Sequence, residues 1–174
     1  PLRSLIGFIA HDLAQRDRPV TILSCDNRPG NGDALRQAVQ QFAQAAHLTI
    51  DWSLARFPNA MVDRITPATT DLIRQESNDP MAVPTEAFRE WVIEDCFAGP
   101  RPDWPDVQFV QDVRPHELRK LRMLNGAHSF LAYAGLAQGY DFVHEAISDP
   151  QLRCQALSLM MEAGATLPQD IQDQ

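Results

Sequence analysis

Three polar side chains interrupt an apolar run from Lys120 to Gly135, KLRMLNGAHSFLAYAG. Lys120 carries an amine, Asn125 a carboxamide with two N–H donors, and His128 an imidazole that can donate or accept. A lysine whose charged form is disfavoured by desolvation serves as a general base near neutral pH. A carboxamide N–H can stabilise a developing alkoxide. A neighbouring histidine can hold a substrate hydroxyl or keep the amine oriented. Together these types suit the interconversion of an alcohol and a carbonyl compound. The plainer alternative is a solvated helix edge with one satisfied histidine.

The segment has helical periodicity, and that decides whether the three groups can meet. At 100° per residue, with Lys120 at zero, Asn125 falls at about 140° and His128 at about 80°. Leu121, Leu124 and Ala132 share that arc. Met123, Phe130 and Tyr133 point elsewhere and read as core packing. Polar groups on a partly buried face need partners, since a buried unsatisfied donor costs roughly 1–3 kcal/mol.

The elements around this helix change character along the chain. SLIGFIAHDLAQR (4–16) predicts a helix that Pro19 ends. VTILSC (20–25) is the continuous apolar run of a strand buried on both faces of a parallel sheet, with Cys25 as one of its small hydrophobes. DNRPGNGD (26–33) is a turn, with Asn31 before Gly32 as its former. ALRQAVQQFAQAAH predicts a helix with Leu35, Val39, Phe42 and Ala46 on one side. Strand, turn and helix make half of a βαβ unit, and ligands in such sheets bind at the strand's carboxyl end. MVDRI predicts a short strand or extended segment, and WVIED and VQFV two more strands. TTDLIRQES predicts a short helix capped by Thr69 or Thr70, and AGPRPDWP an exposed loop. Helices are expected over 115–133, 140–147 and 150–163, the last with Asp149 as N-cap and Pro150 at its first position. LPQDIQDQ should fray. The expected class is α/β followed by mainly α, with the boundary between residues 1–113 and 114–174.

Composition removes several function classes. The 174 residues are 44% hydrophobic and 22% charged, as in an ordinary globular protein. A net charge of −8 argues against nucleic-acid and anionic-membrane partners. A small acidic substrate stays possible, because one arginine can hold a carboxylate. Cys25, Cys96 and Cys154 have no metal or redox spacing, which favours a reduced, cytoplasmic setting. His11, His47, His116, His128 and His144 show no zinc-ligand pairing, and no apolar run reaches membrane-spanning length. No motif indicates an oligomeric state.

Three long stretches in order, SCDNRPGNGDALR (24–36), FPNAMVDRITP (57–67) and KLRMLNGAHSFLAYAG, resemble the polyol-specific long-chain dehydrogenases, the mannitol dehydrogenase family. With FREWVIED the similarity covers most of the chain. The resemblance implies a Rossmann-type domain, of which residues 1–113 are the C-terminal part, joined to the start of a helical substrate domain at 114–174. It implies metal-independent oxidoreduction with NAD or NADP. Lys120 would be the general base, Asn125 and Asn27 the oxyanion hole, and His128 the holder of substrate hydroxyls. Asp63 would line or support the pocket, and Arg64 is a candidate for a substrate carboxylate. Plainer roles exist: Asn27 could close a turn, and Asp63 with Arg64 could form an ion pair. KLRMLNGAHSFLAYAGLAQGY, DPQLR and EAGATL resemble the fructuronate reductase (mannonate oxidoreductase) branch, with mannitol or arabinitol oxidation next. The family's three-glycine dinucleotide fingerprint is not matched by PGNG. By resemblance it belongs upstream of Pro1, with another substrate-binding arginine downstream of Gln174, so the isolated chain should lack dehydrogenase activity. Rival readings are a non-catalytic interaction module and, less well supported, a zinc alcohol dehydrogenase.

Overall fold

The computed structural model describes residues 3–168 and Ile171; of the tail expected to fray, residues 169, 170 and 172–174 lie outside the described residues. The chain separates into two units, Pro1–Val113 and Arg114–Gln174. Each has its own core.

In the first unit, helix α1 (Leu5–Gln15) starts where the Ser4 hydroxyl accepts the Gly7 N–H. Ala10 and Leu13 of α1 meet Val39 of α2 (Asn31–Ala45), together with Ala55 and Phe57. Beyond its first two residues, the buried positions of α2 are Val39 and Ala43, while Leu35 and Phe42 are half-buried. Ala46 lies at the helix end and is exposed, not on the apolar side.

Strand β1 (Val20–Thr21) pairs in parallel with β2 (Ala55–Arg56). The pairing mode agrees with the expected buried parallel strand over 20–25, but its extent and burial do not. β1 is two residues long and half-buried. The ladder stops because its partner runs into Pro58, which has no N–H to give. The Ile22 N–H donates to Arg56 O at 2.9 Å as the last rung.

A second sheet holds β3 (Ala60–Asp63), β4 (Glu90–Glu94) and β5 (Val107–Val110) in that order. β3 and β4 are antiparallel, with Asp63 opposite Glu90, and β4 and β5 are parallel. Met61, Val92 and Val113 are its buried core. Between β3 and β4 lies α3 (Asp71–Ser77), where Thr70 is the cap, its hydroxyl accepting the Ile73 N–H at 3.3 Å.

The second unit is helical. The single helix expected over 115–133 is three pieces: α4 (Arg114–Arg119), a π-helical turn (Lys120–Asn125) and α5 (Gly126–Ala137). Helix α6 is only Val143–Ala146, shorter than the expected 140–147, and the Glu145 carboxylate accepts the Phe142 N–H at 3.1 Å to start it. Helix α7 (Pro150–Gly164) opens on Asp149, which accepts the Gln151 and Leu152 N–H groups at 2.8 and 3.0 Å. Leu131, Ala146, Leu152 and Ala156 form the core.

Helix α5 buries Ala127, Leu131 and Gly135, spaced four apart. Phe130 and Met123 are half-buried, but Tyr133 is 78% exposed and is not core. It sits about 200° from Leu131 around the axis, on the opposite side from the stripe. At Gly135 a methyl group would lie 2.6 Å from the Ala146 Cβ, so only glycine permits this α5–α6 approach. Gly135→Ala is expected to cost about 1–3 kcal/mol by overpacking. Adding Ala146→Gly should return much of that in a urea-midpoint cycle.

Candidate functional site

The second unit carries Lys120, Asn125 and His128. Lys120 opens the π-turn and is half-buried; Asn125 closes it and is exposed, as is His128. The turn alters the geometry that an α-helical wheel implies. The Gly126 N–H donates to Leu121 O, a five-residue step. In such a ladder the wider turn brings a residue five positions on nearer to the same side than an α-helix does. Asn125 therefore falls nearer the Lys120 side than the 140° of the ideal wheel. His128 follows Asn125 by three residues in α5, on the adjoining face of that helix. The π-turn narrows the arc that the three residues span.

The first unit carries Asn27, Asp63 and Arg64. Asn27 is exposed in the turn after β1, where the Asp26 N–H donates to the Ser24 hydroxyl and the Arg28 N–H to Asp26 O. Asp63 ends β3. The exposed Arg64 donates through Nε and Nη2 to Glu86 O at 3.2 and 3.1 Å. Asp63 and Arg64 line a groove of about 230 Å³ with Cys25, Val62, Arg89, Glu90 and Trp91. Cys25 is exposed at this groove and is not the buried strand hydrophobe expected of it. Beyond Ile22 the chain has left the sheet, so no strand covers it.

Asn31 is the residue the sequence misjudged. It is 1% exposed, and it opens helix α2 instead of merely shaping a turn. Its Nδ2 donates to Ser24 O, Asp26 O and Ala60 O at 3.2, 3.0 and 2.8 Å. Its Oδ1 accepts the Ala60 N–H at 2.9 Å. One carboxamide thus joins the backbone on both sides of Cys25 to the first residue of β3. Asn59 repeats the device: its Oδ1 accepts the Asp33 N–H, and its Nδ2 donates to the Asp33 and Glu94 carboxylates at 3.0 and 3.1 Å. The only local signal is an asparagine inside the apolar run FPNAMV. Near by, burial and the Glu94 carboxylate push the Cys96 thiol up from its ordinary pKa.

A dinucleotide pyrophosphate seats on free N–H groups at a helix N-terminus. The start of α2 does not fit one. Gly32 is packed against the Pro58 and Phe57 carbonyls, the Asp33 N–H is taken by Asn59, and two carboxylates stand beside it. Among the described residues no group of three or more His, Cys, Asp or Glu side chains could hold a metal ion. No described helix is long and apolar enough to cross a membrane.

The family model of the mannitol dehydrogenase Rossmann domain matches residues 1–106, and that of the mannitol dehydrogenase C-terminal domain matches residues 112–174. The chain belongs to the mannitol dehydrogenase family. This confirms the resemblance read from the three motifs, and with it an α/β, Rossmann-type part followed by a mainly α part. D-mannonate oxidoreductase of Escherichia coli K12 is 44% identical, covering 94% of this chain and 37% of that protein. Mannitol 2-dehydrogenase of Pyrenophora tritici-repentis is 41% identical, covering 97% of this chain and 33% of its own length. The Pseudomonas fluorescens mannitol 2-dehydrogenase, solved as a ternary complex with NAD and D-mannitol, superposes with a TM-score of 0.76 at 40% identity over 95% of this chain and 37% of that one. A substrate-free D-sorbitol dehydrogenase structure gives a TM-score of 0.84 at 34% identity, with the same coverage. The chain spans about a third of the length of these relatives.

Proposed function

We propose that this family member interconverts a secondary alcohol and a ketone of a sugar acid or polyol, with keto-uronate reduction, fructuronate to mannonate, as the favoured reaction. The reading is supported by the position of Lys120 and Asn125 at the two ends of the π-turn and of His128 three residues on in α5.

In the oxidative direction the Lys120 amine accepts the alcohol O–H proton, and in reduction it returns that proton to the carbonyl oxygen. The Asn125 carboxamide donates N–H to the oxygen as negative charge develops there, a role also proposed for Asn27. His128 holds substrate hydroxyls, and Asp63 supports the pocket wall. A nicotinamide, as NAD or NADP, supplies the hydride exchange when bound. The start of α2 offers no seat for its pyrophosphate. The family reading also has residues 1–113 belonging to the dinucleotide-binding domain and 114–174 to the substrate domain.

The sugar-acid preference draws on the 44% identity to a mannonate oxidoreductase and on Arg64 beside Asp63 at the groove. A guanidinium there could hold a carboxylate. Mannitol or arabinitol oxidation is the second reading, supported by the mannitol 2-dehydrogenase relatives. The test is turnover of fructuronate and of fructose by the full-length enzyme, each with NADH and NADPH. Losing a charge-assisted bond of about 1.5–3 kcal/mol predicts roughly 10- to 150-fold lower kcat/KM for fructose. Equal or better use of fructose would replace the sugar-acid reading with the polyol one.

A further inference from the structure

A π-helical turn is rare, and such turns concentrate at functional sites. Here the turn is anchored from outside by two consecutive residues in its middle. Arg122 Nη1 donates to Thr166 O at 2.9 Å and to Thr166 Oγ1 at 2.8 Å. The Thr166 hydroxyl donates onward to Ala163 O at 2.6 Å, which fixes its lone pairs toward the guanidinium. Met123 adds an apolar contact, its Cε lying 3.8 Å from where a Cβ on Gly164 would be. The end of α7 therefore grips the segment between Lys120 and Asn125.

We propose that Arg122 is a positioning residue: its clamp on Thr166 holds the π-turn in register and so keeps Asn125 toward the Lys120 side of the helix. The inference rests on the proposed roles of those two residues. Without the clamp the segment is free to relax to ordinary α-helix, which returns Asn125 to about 140° from Lys120. The competing role is a plain helix cap. The last turn of α7 contains no basic residue of its own, so Arg122 could simply supply a cation to its carbonyl end.

The two roles separate in the kinetics of the full-length enzyme. Arg122→Ala is expected to lower kcat by about 100-fold, the scale of an ångström-level misplacement, with KM little changed. Arg122→Lys, which keeps a donor for Thr166 O, should recover most of the activity. Thr166→Val, which loses the hydroxyl and keeps the carbonyl, should fall between, and it stands in if Arg122→Ala does not fold. A lower thermal midpoint with unchanged kcat would overturn the proposal and leave only the cap. Lys120→Ala is run alongside. If it is inactive while Arg122→Ala and Thr166→Val are normal, the positioning role alone falls. If Lys120→Ala keeps full activity, the underlying functional reading falls as well.

Discussion

Replacing Lys120 with alanine in the full-length enzyme lowers turnover by about 10²- to 10⁴-fold, the contribution of a positioned acid–base group. The fold is expected to survive. Lys120 is only half-buried and packs into none of the three hydrophobic clusters, so its removal opens no sealed cavity. The thermal midpoint therefore separates lost chemistry from lost structure. Lys120→Arg sharpens the test, because a guanidinium keeps the positive charge but cannot give up its proton near neutral pH. If Lys120 serves only as a charge, arginine restores activity. If it is the base, arginine is as inactive as alanine. Wild-type turnover in Lys120→Ala would remove the amine from the mechanism altogether.

The residue types of the candidate site were legible, and their geometry was not. Lys120, Asn125 and His128 stand out because polar groups inside an apolar helical pattern are conspicuous. An ideal wheel nevertheless misplaced Asn125, since nothing in KLRMLN distinguishes a π-turn from an α-turn. What favours the wider turn lies in Thr166 and Gly164, some forty residues away. The strands show the same division. VQFV was read to the residue as Val107–Val110, because its apolar run coincides with its pairing. VTILSC was read too long, because its length depends on Pro58 just beyond the partner strand. Asn31 looked like an ordinary turn residue, since the backbone groups it serves at Ala60 lie 29 positions on. Local propensity reveals an element; a partner distant in sequence decides where it stops and what it buries.

Asn31 carries the largest stability effect expected in the first unit. Asn31→Ala strips the side-chain partner from three carbonyls, of Ser24, Asp26 and Ala60, and from the Ala60 N–H. Three of the four bonds are fully buried. Each buried group left unsatisfied costs roughly 1–3 kcal/mol; with water entering the gap, a total on the order of 3–6 kcal/mol follows from that range. Such a loss is a large share of the roughly 5–15 kcal/mol available to a typical domain, and a urea titration would show it directly. Asn31→Asp has nearly the same shape and discriminates the cause. Its carboxylate keeps an acceptor for the Ala60 N–H but turns oxygen toward the three carbonyls that the amide served. Charge is disfavoured there, so the folded-state pKa of the introduced carboxyl rises above its unfolded value near 3.9. The unfolded chain then loses its proton first as pH rises, and the penalty grows above about pH 4 until the folded-state pKa is passed. Measured against wild type, Asn31→Asp should be least damaging in acid, where a neutral carboxyl can still donate to one carbonyl. A deficit independent of pH would mean that shape, and not the donor pattern of Asn31, ties the turn before α2 to β3.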